Sequence, residues 1–482
     1  MGYGGSMRKK AISVVIALTM AVSVLAGCGS AKWELKESTV SEVNNMSKEN
    51  GESETTVSEE QLLDEPEETV STDSASENTE DNDTVPILKD TVMETMGCRI
   101  GAAATEGELN DKKVWEIITT HFNALTLGNE LKPDALFGYS NGRCPGTEEA
   151  ELDGEMIVVP RMDFSRAERM LDKIYTWNEN NPENKIMVRG HVLVWHSQTP
   201  EWFFHVDYDK DKDYVDKDVM NRRLEWYIRT VLTHFTGEDS KYKDLFYGWD
   251  VVNEAVSDGS GTYRSDNENP GEPLSNDTHG SNSSWWHVYQ SNEYILNAFR
   301  YANKYAPAEL ELYYNDYNEC DTFKMKGIEA LLTAVKEAEG APGEGTRISA
   351  MGMQGHYSMT TPSFDRVELA IKRYAAIVGS VQITEFDLKA RDGYDGSEKA
   401  KQEEYEKQAT RYRVLYNVMK NLNQKENIQI TGITFWGTVD HYSWLQNRSD
   451  VGGGSNGNLP QCPLLFDENY EPKPAFYVFA GE

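Results

Sequence analysis

Basic side chains are scarce in this sequence, and their scarcity limits the partners that the chain can bind. Among 482 residues there are 47 lysines and arginines against 80 aspartates and glutamates, so the formal net charge at pH 7 is −33. Proteins that bind nucleic acid or anionic membrane surfaces rely on excess positive charge to neutralise phosphates. We therefore expect no nucleic-acid partner and no electrostatic binding to a membrane surface.

Cysteine is also scarce, and its spacing argues against a metal site. Besides Cys28, the chain has four cysteines that lie far apart in the sequence: Cys98, Cys144, Cys320 and Cys462. A zinc site needs short paired spacings between its ligands. His191 and His196 are five residues apart, which places them on opposite faces of an extended strand and not around a shared ion. We predict no metal site.

The apolar run near the N-terminus is too short to cross a membrane comfortably. Residues 11–26 are apolar and follow basic residues at 8–10, whereas a spanning helix needs about 20 apolar residues. This arrangement is typical of an export signal. The run ends in LAGC, which resembles the lipobox of bacterial lipoproteins. That resemblance implies removal of residues 1–27, a lipid on Cys28, and an exported protein anchored to the outer face of the bacterial cell membrane. A plain secretory signal with an incidental cysteine is the alternative.

Residues 28–90 have the composition of a disordered acidic linker. Between residues 29 and 90 there are 18 acidic and 4 basic side chains, and Trp33 is the only aromatic residue. Such a segment buries too little apolar surface to offset the entropy lost on ordering, and its like charges extend it. We predict a linker over 28–90 and a folded domain over 91–482.

From residue 97 onward, short apolar runs alternate with segments of helical spacing. The runs lie at 97–104, 123–128, 185–195, 245–252, 309–314, 348–353, 380–386 and 428–436. Eight strand candidates, each followed by a helix candidate, predict an α/β fold, the parallel (β/α)8 TIM barrel. A doubly wound sheet is the alternative, but no glycine-rich phosphate loop follows the first strand.

Polar and aromatic residues are concentrated at the predicted C-terminal ends of the strands, where barrels of this type have their active sites. They include Asn129, Lys132, His191, Trp195, Gln198, Asn253, Glu254, Tyr317, Gln354, His356, Glu385, Asp387, Trp436 and Trp444. A barrel that served only as a scaffold would not need this concentration of amides, acids, imidazoles and indoles at one rim.

The segment WDVVNEA, residues 249–255, places an amide beside an acid at the end of the fourth predicted strand. Successive side chains of a strand point to opposite faces. Asn253 and Glu254 therefore both reach the barrel mouth only if the strand ends, bends or bulges there.

Glu254 and Glu385 end predicted strands four and seven, and together they suit glycoside hydrolysis. That reaction needs one carboxyl group that donates a proton to the leaving oxygen and a second that stays ionised. For either glutamate alone, an ion-paired rim residue is the alternative. Parity along the strands favours a chain of contacts in which Asp387 holds a neutral His356 imidazole and His356 contacts Glu385.

Six motifs resemble those of glycoside hydrolase family 10, the endo-β-1,4-xylanases, in the same order and on the same predicted strands. They are GHVLVWHSQTPEW, WDVVNEA, LYYNDYN, MGMQGHY, ITEFD and ITFWGTVDHYSW, within roughly residues 95–480. The resemblance implies a retaining endo-1,4-β-xylanase that hydrolyses xylan through a glycosyl-enzyme intermediate, without metal or organic cofactor. It implies that Glu254 is the acid/base, that Glu385 is the nucleophile, and that Asn253 contacts the 2-hydroxyl of the sugar being cleaved.

The same resemblance implies the substrate contacts. The residues expected to line the non-reducing side are Asn129, Lys132, His191, Trp195 and Gln198. Tyr317, Gln354 and His356 would surround the reacting centre, and Asp387 would support His356. Trp436 and Trp444 would stack on or cover sugar rings, and Gln198 and Trp444 would exclude the extra hydroxymethyl group of glucose.

The chain departs from the family at several positions. Gly128 and Pro133 stand where members usually carry glutamate and tryptophan, and Leu445 stands where arginine is common. Two long polar stretches, 137–163 and 257–283, are expected to lie over the rim, where loops tune binding.

Other functions compete with the xylanase interpretation. An endo-β-1,4-glucanase or an enzyme of mixed specificity would use the same two carboxylates. A carbohydrate-binding protein would keep the aromatic residues without needing both glutamates, and a scaffold or adhesion role is favoured only by the predicted anchor. We expect a monomeric enzyme whose partners are xylan and xylo-oligosaccharides.

Overall fold

The structure is a computed structural model that describes residues 85–272, 274, 280–447 and 460–481. The predicted export signal over 1–27, the lipid site at Cys28 and nearly all of the predicted linker over 28–90 lie outside the described residues. Within these ranges, no helix is both long and apolar enough to cross a membrane.

The described residues form twelve α-helices and twelve strands. In order they are α1 (Leu88–Met96), β1 (Arg99–Ala104), α2 (Glu106–Asn110), α3 (Lys112–His121), β2 (Ala124–Leu127), α4 (Pro133–Leu136), β3 (Thr147–Leu152), β4 (Glu155–Pro160), α5 (Ser165–Asn180), β5 (Met187–Gly190), β6 (Val194–Trp195), α6 (Lys217–Thr236), β7 (Phe246–Asn253), α7 (Ser284–Tyr289), α8 (Glu293–Tyr305), β8 (Glu311–Asp316), α9 (Thr322–Glu337), β9 (Ala350–Met353), β10 (His356–Ser358), α10 (Phe364–Val378), β11 (Ser380–Lys389), α11 (Glu398–Glu426), β12 (Gln429–Phe435) and α12 (Pro474–Phe479).

Eight parallel strands close into a barrel in the described part of the chain. The ring runs β1, β2, β5, β7, β8, β9, β11 and β12, and β12 pairs back onto β1. The short strand β6 pairs with the upper part of β7, and β10 pairs with β11. The predicted (β/α)8 barrel is confirmed, and each of the eight predicted runs overlaps a barrel strand.

Burial explains why these segments form a barrel with helices outside it. All eight residues of β7 are buried, as a strand covered on both faces requires. In α6 the buried side chains recur at helical intervals, as at Met220, Leu224 and Ile228, so one face of the helix packs on the barrel. Asp216 begins this helix by accepting a hydrogen bond from the Val219 amide.

The folded domain begins before the predicted boundary between residues 90 and 91, so that boundary is corrected. Helix α1 starts at Leu88, and the side chains of Leu88 and Val92 are fully buried in the core. Gly97 ends the helix with a left-handed φ of 65°. The charged pair Lys89 and Asp90 resembles the linker in composition, but the apolar residues around it have helical spacing.

The polar stretch 137–163 contains an antiparallel hairpin, β3 paired with β4, that the sequence analysis did not predict. Asp153 and Gly154 form its turn with φ values of 51° and 85°. Positive φ at both central residues is typical of two-residue hairpin turns, for which Asp-Gly is a preferred sequence. The sequence signal for the hairpin, Asp153-Gly154, was therefore present, but the many acidic residues of the two strands obscured it.

Candidate active site

The end of β7 brings an amide and an acid to the barrel mouth together. Asn253 is the last residue of the strand, and Glu254 follows it with a left-handed φ of 55°. The register of β7 against β8 also shifts between Asp250 and Val252. The strand therefore both bulges and ends where side-chain alternation required it.

Three side chains fix the Glu254 carboxyl group. Trp195 Nε1 donates to Glu254 Oε2 at 2.9 Å, and Gln354 Nε2 donates to Oε1 at 2.9 Å. Asn253 Nδ2 lies 3.2 Å from the same Oε1. The Glu254 side chain is 13% exposed, so the group is oriented from within the protein and still open to the mouth.

The Glu385 carboxyl group is more deeply buried and has a different set of partners. Asn315 Nδ2 donates to Glu385 Oε1 at 2.8 Å, and His356 Nε2 lies 3.1 Å from Oε2. Burial by itself would raise the pKa of Glu385, but the hydrogen bond from His356 and the charges of His191 and His356 lower it below its usual value. Glu385 is therefore ionised near neutral pH.

The surroundings of His356 favour a charged ring over the neutral imidazole that the sequence led us to expect. Its Nδ1 lies 3.0 Å from Asp387 Oδ2, so the predicted Asp387–His356–Glu385 chain of contacts is present. Burial would lower the pKa of His356, but the Asp387 and Glu385 carboxylates outweigh burial and raise it to about 10. The physical reason is that two carboxylates flank one ring, so the imidazolium donates to both.

Asn315, a strand-end residue for which no role was predicted, connects the two glutamates. Asn315 Nδ2 donates both to Glu385 Oε1 and to Asn253 Oδ1, the latter at 3.0 Å, and Asn253 in turn contacts Glu254. Thr384 Oγ1 donates to Asn315 Oδ1 at 2.6 Å and fixes its amide orientation. Asn315 pairs with Asn253 in the parallel register of β7 and β8, a relation that strand alignment could have shown.

Lys132 contacts residues that follow β2 and β6. Its Nζ donates to Asn129 Oδ1 at 2.9 Å and to Gln198 Oε1 at 3.1 Å, and it lies 5.3 Å from the centre of the Trp195 ring. Burial lowers the pKa of Lys132, while carboxylates led by Glu385 oppose that effect. This group forms a polar wall with side chains suited to sugar hydroxyls.

Aromatic rings form a second part of the mouth. Trp444 Nε1 donates to Asp387 Oδ2 at 2.8 Å, and its ring centre lies 4.9 Å from that of His356. The ring centre of Trp436 lies 5.6 Å from that of His191, and His191 Nδ1 is 2.9 Å from Asp250 Oδ2. Indole faces of this kind suit the apolar C–H faces of a pyranose ring.

Tyr317 lies at the edge of the site, in a cluster with charged residues. Its hydroxyl donates to Asp258 and accepts from Arg264 Nη2 at 3.4 Å, and Lys324 Nζ lies 3.6 Å from the ring centre. Arg264 and Lys324 were not predicted as site residues, because neither lies at the end of a strand.

Comparison with known proteins decides the family of this barrel. A family profile described as Glycosyl hydrolase family 10 matches residues 88–481. The chain belongs to glycosyl hydrolase family 10. Endo-1,4-beta-xylanase Y of Acetivibrio thermocellus is 32% identical over 402 residues, covering 82% of this chain and 32% of that protein. An endo-1,4-beta-xylanase of Geobacillus stearothermophilus is 32% identical over 384 residues, covering 79% of this chain and 94% of that protein.

Solved structures of family 10 have the same fold. The CBM22-1 and GH10 modules of a Clostridium thermocellum endo-1,4-beta-D-xylanase, complexed with xylohexaose, superpose with a TM-score of 0.63 at 30% identity. The match covers 82% of this chain and 67% of that one. This family 10 chain spans about a third of the length of several of its curated relatives.

The structure accommodates both Pro133 and Gly128, the two residues that differ from the usual motif of family 10 after β2. Pro133 is the first residue of α4, a position that proline favours. Gly128 lies just after β2 with a φ outside the left-handed region. A Cβ there would lie 3.4 Å from Thr105 Cγ2 and 3.6 Å from Ala104, which is ordinary van der Waals contact. The backbone at Gly128 therefore accepts a side chain.

Proposed function

We propose that this protein is a retaining endo-1,4-β-xylanase that hydrolyses internal β-1,4-xylosidic bonds of xylan and xylo-oligosaccharides. The observation that carries the proposal is the pair Glu254 and Glu385, joined through Asn253 and Asn315 at one barrel rim but held in different environments. The names of the relatives and the xylohexaose bound to a structural neighbour support xylan as the substrate.

In this proposal the two glutamates have separate roles. Ionised Glu385 attacks the anomeric carbon, and Glu254 gives its proton to the leaving oxygen, so the sugar becomes bonded to Glu385. Glu254 then takes a proton from water, which attacks the same carbon and releases Glu385 with overall retention. Trp195 and Gln354 keep the Glu254 carboxyl in place through both steps.

The remaining predicted residues bind the sugar in this proposal. Asn253 contacts the 2-hydroxyl beside the reacting carbon, and Tyr317 borders the same region. The hydroxyls of the non-reducing side meet Asn129, Lys132, His191 and Gln198. Trp436 and Trp444 cover the ring faces, and His356, held by Asp387, keeps Glu385 ionised.

Specificity for xylan over β-glucan tests the proposed substrate. Glucose carries a hydroxymethyl group at C5 that xylose lacks, and the proposed positions of Gln198 and Trp444 leave no room for it. We expect kcat/KM for unbranched xylan to exceed that for mixed-linkage β-glucan by about 100-fold, the size of effect that a closed pocket gives. Equal values would support the alternative, a glucanase or an enzyme of mixed specificity.

Replacing Gly128, which stands where family members usually carry glutamate, should improve the hydrolysis of short substrates. A glutamate at position 128 can reach sugar hydroxyls from a backbone that accepts it, and a charged hydrogen bond contributes roughly 1.5 to 3 kcal/mol. We expect Gly128→Glu to raise kcat/KM on aryl xylobiosides by about ten-fold or more, at about 1.4 kcal/mol per decade, and to change xylan hydrolysis less. Gly142→Glu, which adds the same charge at an exposed glycine with open space around it, is the control. Parallel curves of kcat/KM against chain length for wild type and Gly128→Glu would contradict this.

We also propose that the enzyme is exported and held at the cell surface by a lipid on Cys28, while the acidic linker separates barrel from membrane. A lipid chain supplies membrane affinity that the acidic protein lacks. Cys28→Ser should move the enzyme from the membrane fraction to the culture medium with unchanged specific activity, and Cys144→Ser should not. Wild-type enzyme found wholly in the medium with an unmodified N-terminus would disprove the anchor.

A further inference from the structure

Arg264 binds the backbone of the three residues that follow β7. Its Nε donates to Glu254 O at 2.9 Å, its backbone amide donates to Ala255 O at 2.7 Å, and its Nη2 lies 3.4 Å from Val256 O. One residue therefore supplies donors to the carbonyls of Glu254, Ala255 and Val256 in succession. Arg264 itself lies ten residues further along the chain, in the polar stretch 257–283.

The conformation of Glu254 requires such support. A non-glycine residue with a φ of 55° is in a sparsely populated region, which persists only where the surrounding structure determines it. Asn315 O accepts from the Glu254 amide at 2.9 Å and Tyr314 Oη accepts from the Ala255 amide at 3.1 Å. These bonds fix the amides of the turn, and Arg264 fixes its carbonyls.

Arg264 is well placed to keep this conformation because it is buried and charged. Its residue exposure is 3%, and its Nη1 donates to Ser281 O at 3.1 Å, a second backbone contact within the polar stretch. Burial disfavours the charge, but Tyr317, Glu254 and Asp316 outweigh it and raise the pKa of Arg264 further. The guanidinium thus stays ionised, and its planar fork bonds two carbonyls of the turn at once.

We infer that Arg264 is a positioning residue for the acid/base step. It holds the Glu254 peptide in the left-handed conformation. The Glu254 carboxyl group thereby stays hydrogen-bonded to Trp195 and Gln354 and directed at the leaving oxygen. The inference rests on the proposed function, because it assigns Glu254 the proton transfer. Arg264 acts only through Glu254.

This role has a signature that a merely structural role lacks. Proton donation matters in proportion to the basicity of the leaving group. Misplacing the acid should therefore slow glycosylation by phenyl β-xylobioside strongly and by 2,4-dinitrophenyl β-xylobioside little, since dinitrophenolate leaves without a proton. Hydrolysis of the glycosyl-enzyme also needs Glu254 as a base, and added azide, which needs no base, should restore that step.

The experiment compares Arg264→Lys and Arg264→Gln with the control Arg347→Lys. Arg347 also donates to backbone carbonyls, those of Leu310 at 2.6 Å and Pro307 at 3.2 Å, but just before β8, at the other end of the barrel. Rates are normalised to active sites counted from the burst of dinitrophenolate, so partly unfolded protein does not affect them.

We expect both Arg264 variants to lose about thirty-fold or more in kcat/KM on the phenyl substrate and no more than about three-fold on the dinitrophenyl substrate, with azide raising kcat on the latter. Arg347→Lys should change both substrates equally. The inference would be overturned if the Arg264 variants lost equal amounts of kcat/KM on both substrates, or lost none. It would also be overturned if Arg264→Lys had no titratable active sites. Wild-type enzyme inactive on xylan and on both xylobiosides would instead overturn the proposed function, and this inference with it.

Discussion

Glu385→Ala should lose activity on every xyloside, by about 10⁴-fold or more, because no other group can form the covalent intermediate. Glu254→Ala should behave differently. On aryl xylosides whose leaving group needs no proton it should form the glycosyl-enzyme at nearly the wild-type rate, while xylan hydrolysis falls by about 10² to 10⁴-fold, the usual contribution of general acid catalysis. The different environments of the two carboxyl groups underlie this contrast.

Added azide distinguishes Glu254→Ala from Glu385→Ala. In Glu254→Ala the glycosyl-enzyme accumulates because no base activates water, and azide can attack in the space left by the carboxylate. We expect azide to restore turnover in Glu254→Ala and to give β-xylosyl azide with retained configuration. Azide should not restore retaining turnover in Glu385→Ala. If the two variants behave alike on activated substrates, with or without azide, the assignment of roles is wrong.

Asp387→Asn should lower kcat/KM by about ten- to a hundred-fold, the effect of losing a hydrogen bond between charged groups at about 1.4 kcal/mol per decade. The Asp387 charge is the main factor that raises the pKa of His356 against burial. Without it the imidazole loses its proton at lower pH, and the Glu385 carboxylate loses a charged hydrogen-bond donor.

The same contacts determine the direction in which the pH profile of kcat/KM shifts in Asp387→Asn. In the wild type, His356 lowers the pKa of Glu385, so the acidic limb of the kcat/KM profile, where the nucleophile becomes protonated, lies at low pH. In Asp387→Asn the pKa of Glu385 rises, and the acidic limb of the profile moves to higher pH. Asp172→Asn, which removes a charge paired with Lys241 on the outer surface, should leave the limb in place. An unchanged acidic limb in Asp387→Asn would show that the three residues are not coupled.

The fold and the location of the site could be predicted because both depend on local pattern. Eight apolar runs with helical segments between them define a barrel, and the ends of those runs define its rim. Side-chain alternation required a break at Asn253 and Glu254, and the structure has one there. The contacts among Asp387, His356 and Glu385 followed from strand parity in the same way.

The features that sequence reasoning missed depend on distances between distant segments. Asn315 lies on the rim, but its two bonds to Asn253 and Glu385 exist only once three strands are in register. Arg264 lies in a polar stretch with no periodic pattern, so nothing in the sequence pointed to its contact with the Glu254 carbonyl. The charge of His356 depends on two carboxylates at about hydrogen-bond distance, a balance that residue identity alone does not fix.

The most direct test of the central claim is to trap and locate the covalent intermediate. The 2-fluoro group of 2,4-dinitrophenyl 2-deoxy-2-fluoro-β-xylobioside slows both chemical steps, while the good leaving group lets the first proceed, so the glycosyl-enzyme accumulates. Peptide mapping by mass spectrometry should then find one fluoroxylobiosyl group per enzyme, on Glu385. Attachment to another residue, or xylan hydrolysis with inversion at the anomeric carbon and no adduct, would contradict a retaining xylanase with Glu385 as its nucleophile.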